Sequence, residues 1–274
     1  MNIKDILTAT PQSLLKVAAF LKDSKTTIYE DSDMYIYVDR QAPITLVSHV
    51  DTVRGKDKLT LKEKHGIVWN SSGVLGADDR AGVYAMFRLS NLNCNLLFTN
   101  YEECGGKGAK LASKALNQHM VDSGVKLLIE LDRSGVSEYV YYSYHLPKQI
   151  KAYVESYGFN EEYGSYSDIS EFDTIPAVNL SVGYYNQHTS GEYLVMDELE
   201  LTIQRVKRML QAPPTKLYKV VEPIFTAKDT LPKYGYDHDY GDYYSTRKDT
   251  KRDDIPQSVD EFFREPVKWT KGGK

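Results

Sequence analysis

Short apolar runs alternate with amphipathic stretches over the first 210 residues of the chain. The apolar runs are bounded by polar or turn-forming residues, which is typical of buried strands. Strands are predicted over residues 34–38, 44–47, 95–99, 126–131, 139–144 and 177–182. A hairpin is predicted over residues 59–69, with its turn near His65-Gly66.

Amphipathic segments with helical periodicity separate these strands. The first follows Thr10-Pro11, and proline is favoured in the first turn of a helix. Further helices are predicted over residues 81–89, 107–119, 149–157 and 198–210, the last with Asp197 as its N-cap. Strands that alternate with helices predict an α/β fold, here a three-layer α/β/α domain with a mixed, mostly parallel central sheet.

Composition divides the chain into a core-forming part and a tail. The whole chain has 274 residues, of which 41% are hydrophobic and 26% charged, enough to bury a sizeable core. After residue 212 the chain becomes rich in tyrosine, aspartate and lysine and poor in aliphatic residues. We therefore expect one catalytic domain over residues 1–212 and a disordered or loosely docked tail over residues 213–274.

Charge and hydropathy narrow the classes of function. The net charge is −4 with mixed signs throughout, so no basic surface for nucleic acid is expected. No apolar run approaches the roughly 20 residues that span a bilayer, and no secretory hydrophobic region follows the N-terminus. We expect a cytoplasmic protein whose two cysteines, Cys94 and Cys104, are reduced thiols.

Histidines and acids stand where the apolar runs end. These residues are His49, Asp51, Asp78, Asp79, Glu102, Glu103, Asp132 and His188. One acidic pair or one histidine alone is more often a surface or core feature than a functional one. Their joint order is harder to explain by chance, because ligands in α/β sheets lie at the carboxyl ends of strands.

Imidazole nitrogens and carboxylate oxygens are ligands of zinc, and two ions about 3.5–4 Å apart require a bridging carboxylate. We assign Asp78 as the bridge. One ion would take His49 and Asp132, and the other would take His188 and Glu103. The same ligands permit cobalt or manganese instead of zinc.

Two acids remain beside these ligands. Glu102 is the expected general base, which takes a proton from the attacking water and passes it to the leaving amine. Asp51, two residues after His49, is expected to accept a hydrogen bond from that imidazole and so to fix its tautomer and orientation.

The motifs resemble those of the dinuclear zinc exopeptidase superfamily, which includes the metallopeptidase families M20, M28 and M42. Residues 49–53, His-Val-Asp-Thr-Val, resemble the first metal motif of family M20. Residues 76–82, Gly-Ala-Asp-Asp-Arg-Ala-Gly, are similar to the bridging motif of the tripeptidase T branch. Glu102-Glu103 before a glycine-rich turn resembles the base-and-ligand pair, and residues 167–189 resemble the closing stretch of M28 aminopeptidases.

The resemblance covers about residues 1–210 and implies an exopeptidase for short peptides, with an aminopeptidase or tripeptidase direction favoured. It also has departures. The sequence pattern of residues 133–187 predicts ordinary strands and helices. The lid domain of M20 enzymes is therefore not expected between Asp132 and His188. Ile169 stands where the M28 pattern carries histidine. A tyrosine stabilises the oxyanion in M28 relatives, and the candidates for that role here are Tyr184, Tyr185 and Tyr193.

Other functions remain open from the sequence. The same two ions could serve an amidohydrolase that acts on a non-peptide amide, such as an N-acyl amino acid. A protein without catalytic activity could instead keep the fold and engage a protein partner through its tyrosine-rich tail. The remaining histidines have no such context and are interpreted as structural or surface residues; they are His65, His119, His145 and His238.

Overall fold

The computed structural model describes residues 1–22, 26–54, 58–142 and 145–220. The helices are α1 (Ile3–Thr8), α2 (Pro11–Ala19), α3 (Ala77–Leu89), α4 (Lys107–Asp122), α5 (Lys148–Glu155) and α6 (Met196–Gln211), with a 3₁₀ turn at Asp168–Glu171. The strands are β1 (Thr27–Asp31), β2 (Tyr35–Asp39), β3 (Ile44–His49), β4 (Leu61–Lys64), β5 (Ile67–Asn70), β6 (Asn95–Thr99), β7 (Leu127–Arg133), β8 (Glu138–Val140), β9 (Asn160–Glu161), β10 (Ala177–Ser181), β11 (Tyr184–Tyr185) and β12 (Tyr193–Val195).

An eight-stranded sheet forms the centre of the molecule, in the order β1-β2-β6-β3-β7-β10-β8-β9. Its four central strands, β6, β3, β7 and β10, are parallel to one another. Strands β1, β2 and β8 join antiparallel. The fold is therefore the α/β domain with a mixed, mostly parallel sheet that the alternation of strands and helices predicts.

The central strands are continuous apolar runs because both faces of the sheet are covered. Every residue of β3, β6 and β10 is buried. Helix α3 packs on β3 and β7, and α6 packs on α3, while α4 packs on β2 and β6.

Helix α3 approaches the sheet unusually closely at Gly82. A β-carbon at this position would lie 1.9 Å from the carbonyl oxygen of Leu131 and 2.5 Å from the hydroxyl oxygen of Ser48. Only glycine leaves room for such an approach of helix to strand. The close packing fixes the start of α3, which carries Asp78, against the ends of β3 and β7.

A second, antiparallel sheet has the order β11-β12-β5-β4. Strands β4 and β5 form the predicted hairpin, and its turn lies at His65 and Gly66, which both have positive φ angles. Strands β11 and β12 form another hairpin, which the sequence patterns did not predict. Its loop carries His188.

Some predicted boundaries need correction. Helix α6 begins at Met196 with Val195 at the N-cap, so Asp197 lies in the first turn, where its charge still favours the helix dipole, and is not the cap. Helix α3 is bounded at Ala77, but the backbone of Asp78 and Asp79 is not helical, so the regular part of the helix starts close to the predicted residue 81. The strand predicted over 139–144 is β8, which ends at Val140, and residues 143–144 lie outside the described part of the chain.

The N-terminus contains a short helix, α1, that the sequence patterns did not predict. Helix α1 has a capping box, in which Asn2 and Asp5 exchange side-chain to backbone hydrogen bonds of 2.9 Å. Helix α2 has the predicted proline at its first position, and the Thr10 hydroxyl accepts a hydrogen bond from the Ser13 amide. None of the helices in the described residues is long and apolar enough to cross a bilayer.

Most of the tail predicted over residues 213–274 falls outside the described residues, which end at Val220. The first part of that segment is described. Leu217, Tyr218 and Val220 are partly buried against the hydrophobic core. The disorder of the tail and its use in binding a partner remain predictions.

Candidate metal centre

The carboxyl ends of three adjacent parallel strands bring the candidate ligands together. His49 is the last residue of β3, and Asp132 is the second-last residue of the neighbouring strand β7. Glu102 and Glu103 follow β6, on the other side of β3. Parallel strands end at the same edge of a sheet, so side chains that are distant in the sequence converge there.

One group consists of His49, Asp78 and Asp132. The Nε2 atom of His49 lies 3.2 Å from Oδ1 of Asp78 and 3.6 Å from Oδ1 of Asp132. The three side chains are nearly buried, with 1%, 11% and 9% exposure. One ligand atom from each residue lies within 4.8 Å of the others, which is close enough to hold a single ion.

A second group consists of Asp78, Glu103 and His188. The Nε2 atom of His188 lies 3.1 Å from Oδ2 of Asp78 and 3.1 Å from Oε1 of Glu103. Asp78 therefore presents Oδ1 to one imidazole and Oδ2 to the other. This is the arrangement of a carboxylate that bridges two ions.

Two further acids, Glu102 and Asp51, lie close to His49. His49, Glu102 and Glu103 also offer atoms within 4.8 Å of one another, and no hydrogen bond to the Glu102 carboxylate occurs among the described residues. Asp51 Oδ1 lies 3.3 Å from Nδ1 of His49. The Asp51 carboxylate also accepts hydrogen bonds from the backbone amides of Glu102 and Glu103, at 3.1 and 3.2 Å. It thereby ties the β3 loop to the β6 loop.

A polar network holds Asp132 in place. Asn179, in the buried strand β10, accepts from the Asp132 amide and donates to the Asp132 carbonyl, both at 2.9 Å. Ser167 donates to Oδ2 of Asp132 and Tyr184 donates to Oδ1, both at 3.2 Å. A polar residue inside the apolar run 177–182 is the sequence signal that points to Asn179.

The three tyrosines named as oxyanion candidates differ in position. Only Tyr184 contacts the centre, and its hydroxyl donates to a ligand carboxylate, Asp132. The Tyr185 hydroxyl donates to Glu198 in α6, and the ring of Tyr193 stacks on Tyr185 at 5.1 Å. Tyr185 and Tyr193 therefore have structural contacts elsewhere.

Sequence patterns missed Glu192, which is fully buried. Its carboxylate accepts three backbone hydrogen bonds from residues 76, 77 and 78, at 2.7, 2.7 and 3.1 Å. An acid four residues after His188, in a segment otherwise polar and exposed, is the weak signal that could have indicated it.

The surrounding carboxylates favour the protonated imidazoles. Burial opposes this for His49, but Asp132, Asp51 and Asp78 raise its pKa well above the ordinary value. Hydrogen bonds that its imidazole donates to the carboxylates of Asp78 and Glu103 raise the pKa of His188 to about 10. Both histidines thus carry positive charge that balances the acids when no other cation does so.

The pKa values of the carboxyl groups shift in both directions, because each group is buried and has charged neighbours. Burial would raise the pKa of Asp78, yet contacts with His188 and His49 lower it below the ordinary value. Burial raises the pKa of Asp132 to about 7, with a further contribution from Asp78. Burial and nearby carboxylates raise the pKa of Glu102 to about 8, although His49 acts in the opposite direction. The crowding of carboxyl groups therefore favours protonation of Asp132 and Glu102 when no cation other than the histidines balances them.

The residues present match the requirements of divalent cations. Each of the two groups around Asp78 combines one imidazole with carboxylate oxygens, the donors that zinc and its relatives accept. Oδ2 of Asp79 is buried without a hydrogen-bond partner in the described part of the chain. A buried carboxylate oxygen without a partner is costly unless a cation lies near it.

No family model and no curated protein sequence matches the chain. Solved structures do. A tripeptidase from Staphylococcus aureus is 17% identical, with a TM-score of 0.58, and the match covers 76% of this chain and 96% of that one. The aminopeptidase PepT from Bacillus cereus is 16% identical, with a TM-score of 0.58 and coverage of 76% and 96%. The TET1 peptidase from Pyrococcus horikoshii is 15% identical, with a TM-score of 0.58 and coverage of 76% and 98%.

The chain therefore has the fold of these aminopeptidase and tripeptidase structures. This confirms the fold that the resemblance of the metal motifs implies. At such low identity the likeness concerns the fold alone, so activity has to be argued from the side chains of the centre.

Proposed function

We propose that this chain is a dinuclear metal-dependent exopeptidase that cleaves amide bonds in short peptides. The observation that carries the proposal is the double role of Asp78, whose two oxygens face the imidazoles of His49 and His188 at 3.2 and 3.1 Å. The similarity of the fold to that of solved peptidases supports the same class of enzyme.

His49, Asp78 and Asp132 would hold one divalent ion, and Asp78, Glu103 and His188 would hold the other. When bound, the ions supply Lewis acidity, which polarises an amide carbonyl and makes water more acidic. Zinc is the proposed metal, and cobalt or manganese would be accepted by the same ligands.

Glu102 is the proposed catalytic base. The water oxygen forms a bond to the carbonyl carbon, the carbon–nitrogen bond breaks, and Glu102 carries the proton of the water to the nitrogen of the leaving amine. The Glu102 carboxylate has no hydrogen-bond partner among the described residues, so it is free to exchange that proton. Asp51 fixes the orientation of His49 through Nδ1 and positions the Glu102 amide, so it acts through other residues.

Short peptides with a free N-terminus are the proposed substrates, because the similar folds include aminopeptidases and a tripeptidase. The half-exposed His188 supports access from solvent on one side of the centre, since its side chain is 49% exposed.

Metal content measured together with hydrolysis tests this function. Purified full-length protein, treated with chelator and reloaded with Zn²⁺, Co²⁺ or Mn²⁺, is assayed on dipeptides, tripeptides, N-blocked peptides and N-acyl amino acids. We expect two ions per chain and release of N-terminal residues from unblocked peptides.

Preferential hydrolysis of N-acyl amino acids would replace the exopeptidase with a deacylase of the same centre. Two bound ions without turnover of any substrate would contradict the enzyme and favour a binding protein. Glu200→Gln, at an exposed ion pair with Arg88, serves as a control variant and should leave the activity unchanged.

A further inference from the structure

The carboxylate of Glu192 binds the backbone of the segment that leads into α3. Oε2 accepts from the Gly76 amide at 2.7 Å, and Oε1 accepts from the amides of Ala77 and Asp78 at 2.7 and 3.1 Å. Both oxygens are therefore used, and the side chain is fully buried. The last of these amides belongs to the residue whose side chain faces both histidines.

Glu192 also lies at the base of the loop that carries His188. This loop joins β11 to β12, and its turn is closed by hydrogen bonds from the Thr189 hydroxyl to the Asn186 carbonyl at 2.7 Å and from the Glu192 amide to the Thr189 carbonyl at 3.2 Å. His188 therefore stands on a short, internally bonded turn. A movement of Glu192 would move His188 with it.

Hydrogen bonds to one carboxylate thus connect the two sides of the second group, in addition to the packing of α3 against β11 and β12. The two segments that Glu192 links belong to different elements. Residues 76–78 lie at the start of a helix, and residues 186–192 form the loop of a hairpin. The first group differs, because His49 and Asp132 stand on adjacent, hydrogen-bonded strands. Its geometry does not depend on the hairpin.

We propose that Glu192 is a positioning residue that holds Asp78 at a fixed distance from His188 and so keeps the second ion site at full affinity. The proposal deepens the proposed function, because it rests on two ions being held around Asp78. It predicts unequal effects on the two sites, since the second site loses its connection while the first retains its strands.

Glu192→Gln tests the role with little change of shape. Glutamine keeps one acceptor oxygen, but its amide nitrogen would face a backbone N–H group, donor against donor. Titration of the chelator-treated full chain with Co²⁺, followed by visible absorption and calorimetry, should give one ion bound as in the unchanged protein. The other should bind about 10- to 100-fold more weakly, the usual effect of losing a partner that orients a ligand.

Glu138→Gln is the matched control. The Glu138 carboxylate also accepts two backbone amides, from Val136 and Ser137 at 2.9 and 3.0 Å, and it contacts none of the candidate ligands. Its Co²⁺ titration should equal that of the unchanged protein. Glu192→Asp retains both acceptor oxygens on a shorter side chain and should recover part of the lost affinity.

The outcomes separate this proposal from the proposed function. If the unchanged protein binds two ions and Glu192→Gln binds both with the same affinities, the positioning role is wrong while the dinuclear centre stands. If the unchanged protein does not bind two ions, both ideas fail. If Glu192→Gln does not fold in a circular dichroism check, Glu192→Asp decides: equal loss at both sites would contradict the role, and selective loss at one site would support it.

Discussion

The Nε2 atom of His188 lies 3.1 Å from the Oδ2 atom of Asp78. The two side chains differ in environment, because His188 is 49% exposed and Asp78 is 11% exposed. An exposed hairpin loop therefore completes a site whose other half is buried at the start of α3. This asymmetry predicts that the second proposed ion site can be disrupted while the ligands of the first stay in place.

His188→Ala should reduce the bound metal from two ions per chain to about one. The variant removes the imidazole of the second group but leaves His49, Asp78 and Asp132 in place. Stability in chelator should also fall, because Asp78 and Glu103 lose the positively charged imidazole that lies 3.1 Å from each of them. Metal analysis after dialysis, together with urea unfolding, measures both quantities.

The exposed His145 provides the control, and His145→Ala should retain two ions. Loss of both ions from His188→Ala would mean that Asp78 does not hold the first ion without the second. Retention of both would remove His188 from the ligand set.

Glu102→Gln should bind two ions normally and hydrolyse peptides about 10²- to 10⁴-fold more slowly, the range expected for loss of a general base. Glutamine preserves the size of the side chain but cannot take up a proton. Kinetics on the best peptide, with metal content measured on the same sample, test this. Loss of an ion would instead make Glu102 a ligand, and full activity would exclude it as the base.

Much of the centre could be predicted because its ligands follow strongly apolar runs. Buried central strands can be predicted from their apolar composition alone. His49 and Asp132 lie at the ends of two such strands, and the Glu102-Glu103 pair follows a third. Their convergence follows from the parallel arrangement of neighbouring strands. The assignment of roles to these residues stays a prediction until the variants are measured.

The remainder depends on contacts that no local pattern contains. Glu192 binds the Gly76 amide, 116 positions earlier in the chain, and only the folded structure brings them together. The hairpin of β11 and β12 is short and has no alternating pattern, because its strands have two and three residues. Helix α1 has six residues, too few for a clear helical periodicity.

Stability of the metal-free protein should fall as the pH rises from about 5 to 8. Glu102 and Asp132 have pKa values of about 8 and 7 in the folded chain, above their ordinary values of 4.5 and 3.8. In this range the folded chain retains protons that the unfolded chain releases. Each such proton lowers the stability by about 1.4 kcal/mol per pH unit.

The histidines act in the same direction, because the raised pKa of His188 adds stability that is complete below its ordinary value and is lost as the pH rises towards about 10. Bound metal should reverse the trend, since the ligands must lose their protons to bind it. Urea unfolding at several pH values, with chelator and with excess Zn²⁺, measures the difference. A metal-dependent gain that does not grow with pH would contradict this account of the centre.

Arg80 connects the metal-binding segment to the N-terminus, and its replacement should destabilise the protein. Its guanidinium is buried and donates to the carbonyl oxygens of Ile6 and Ala9, both at 2.9 Å. Arg54 donates to the next carbonyl of the same helix, that of Leu7, at 2.7 Å. Together they donate to carbonyl groups at the end of α1, of which that of Ile6 also accepts from the Ala9 amide at 3.3 Å.

Arg80→Met keeps the apolar part of the side chain and removes both hydrogen bonds, so the Ala9 carbonyl loses this donor and the Ile6 carbonyl retains only the Ala9 amide. We expect a loss of about 1–3 kcal/mol, the cost of a buried acceptor left without a donor. Urea unfolding at saturating Zn²⁺ measures it, and Arg208→Met, at an exposed position in α6, should change stability by less than about 0.5 kcal/mol. If the two variants are equally stable, the hydrogen bonds from Arg80 to the end of α1 do not stabilise the protein. The capping box of α1 would then be the main reason that the N-terminus is ordered.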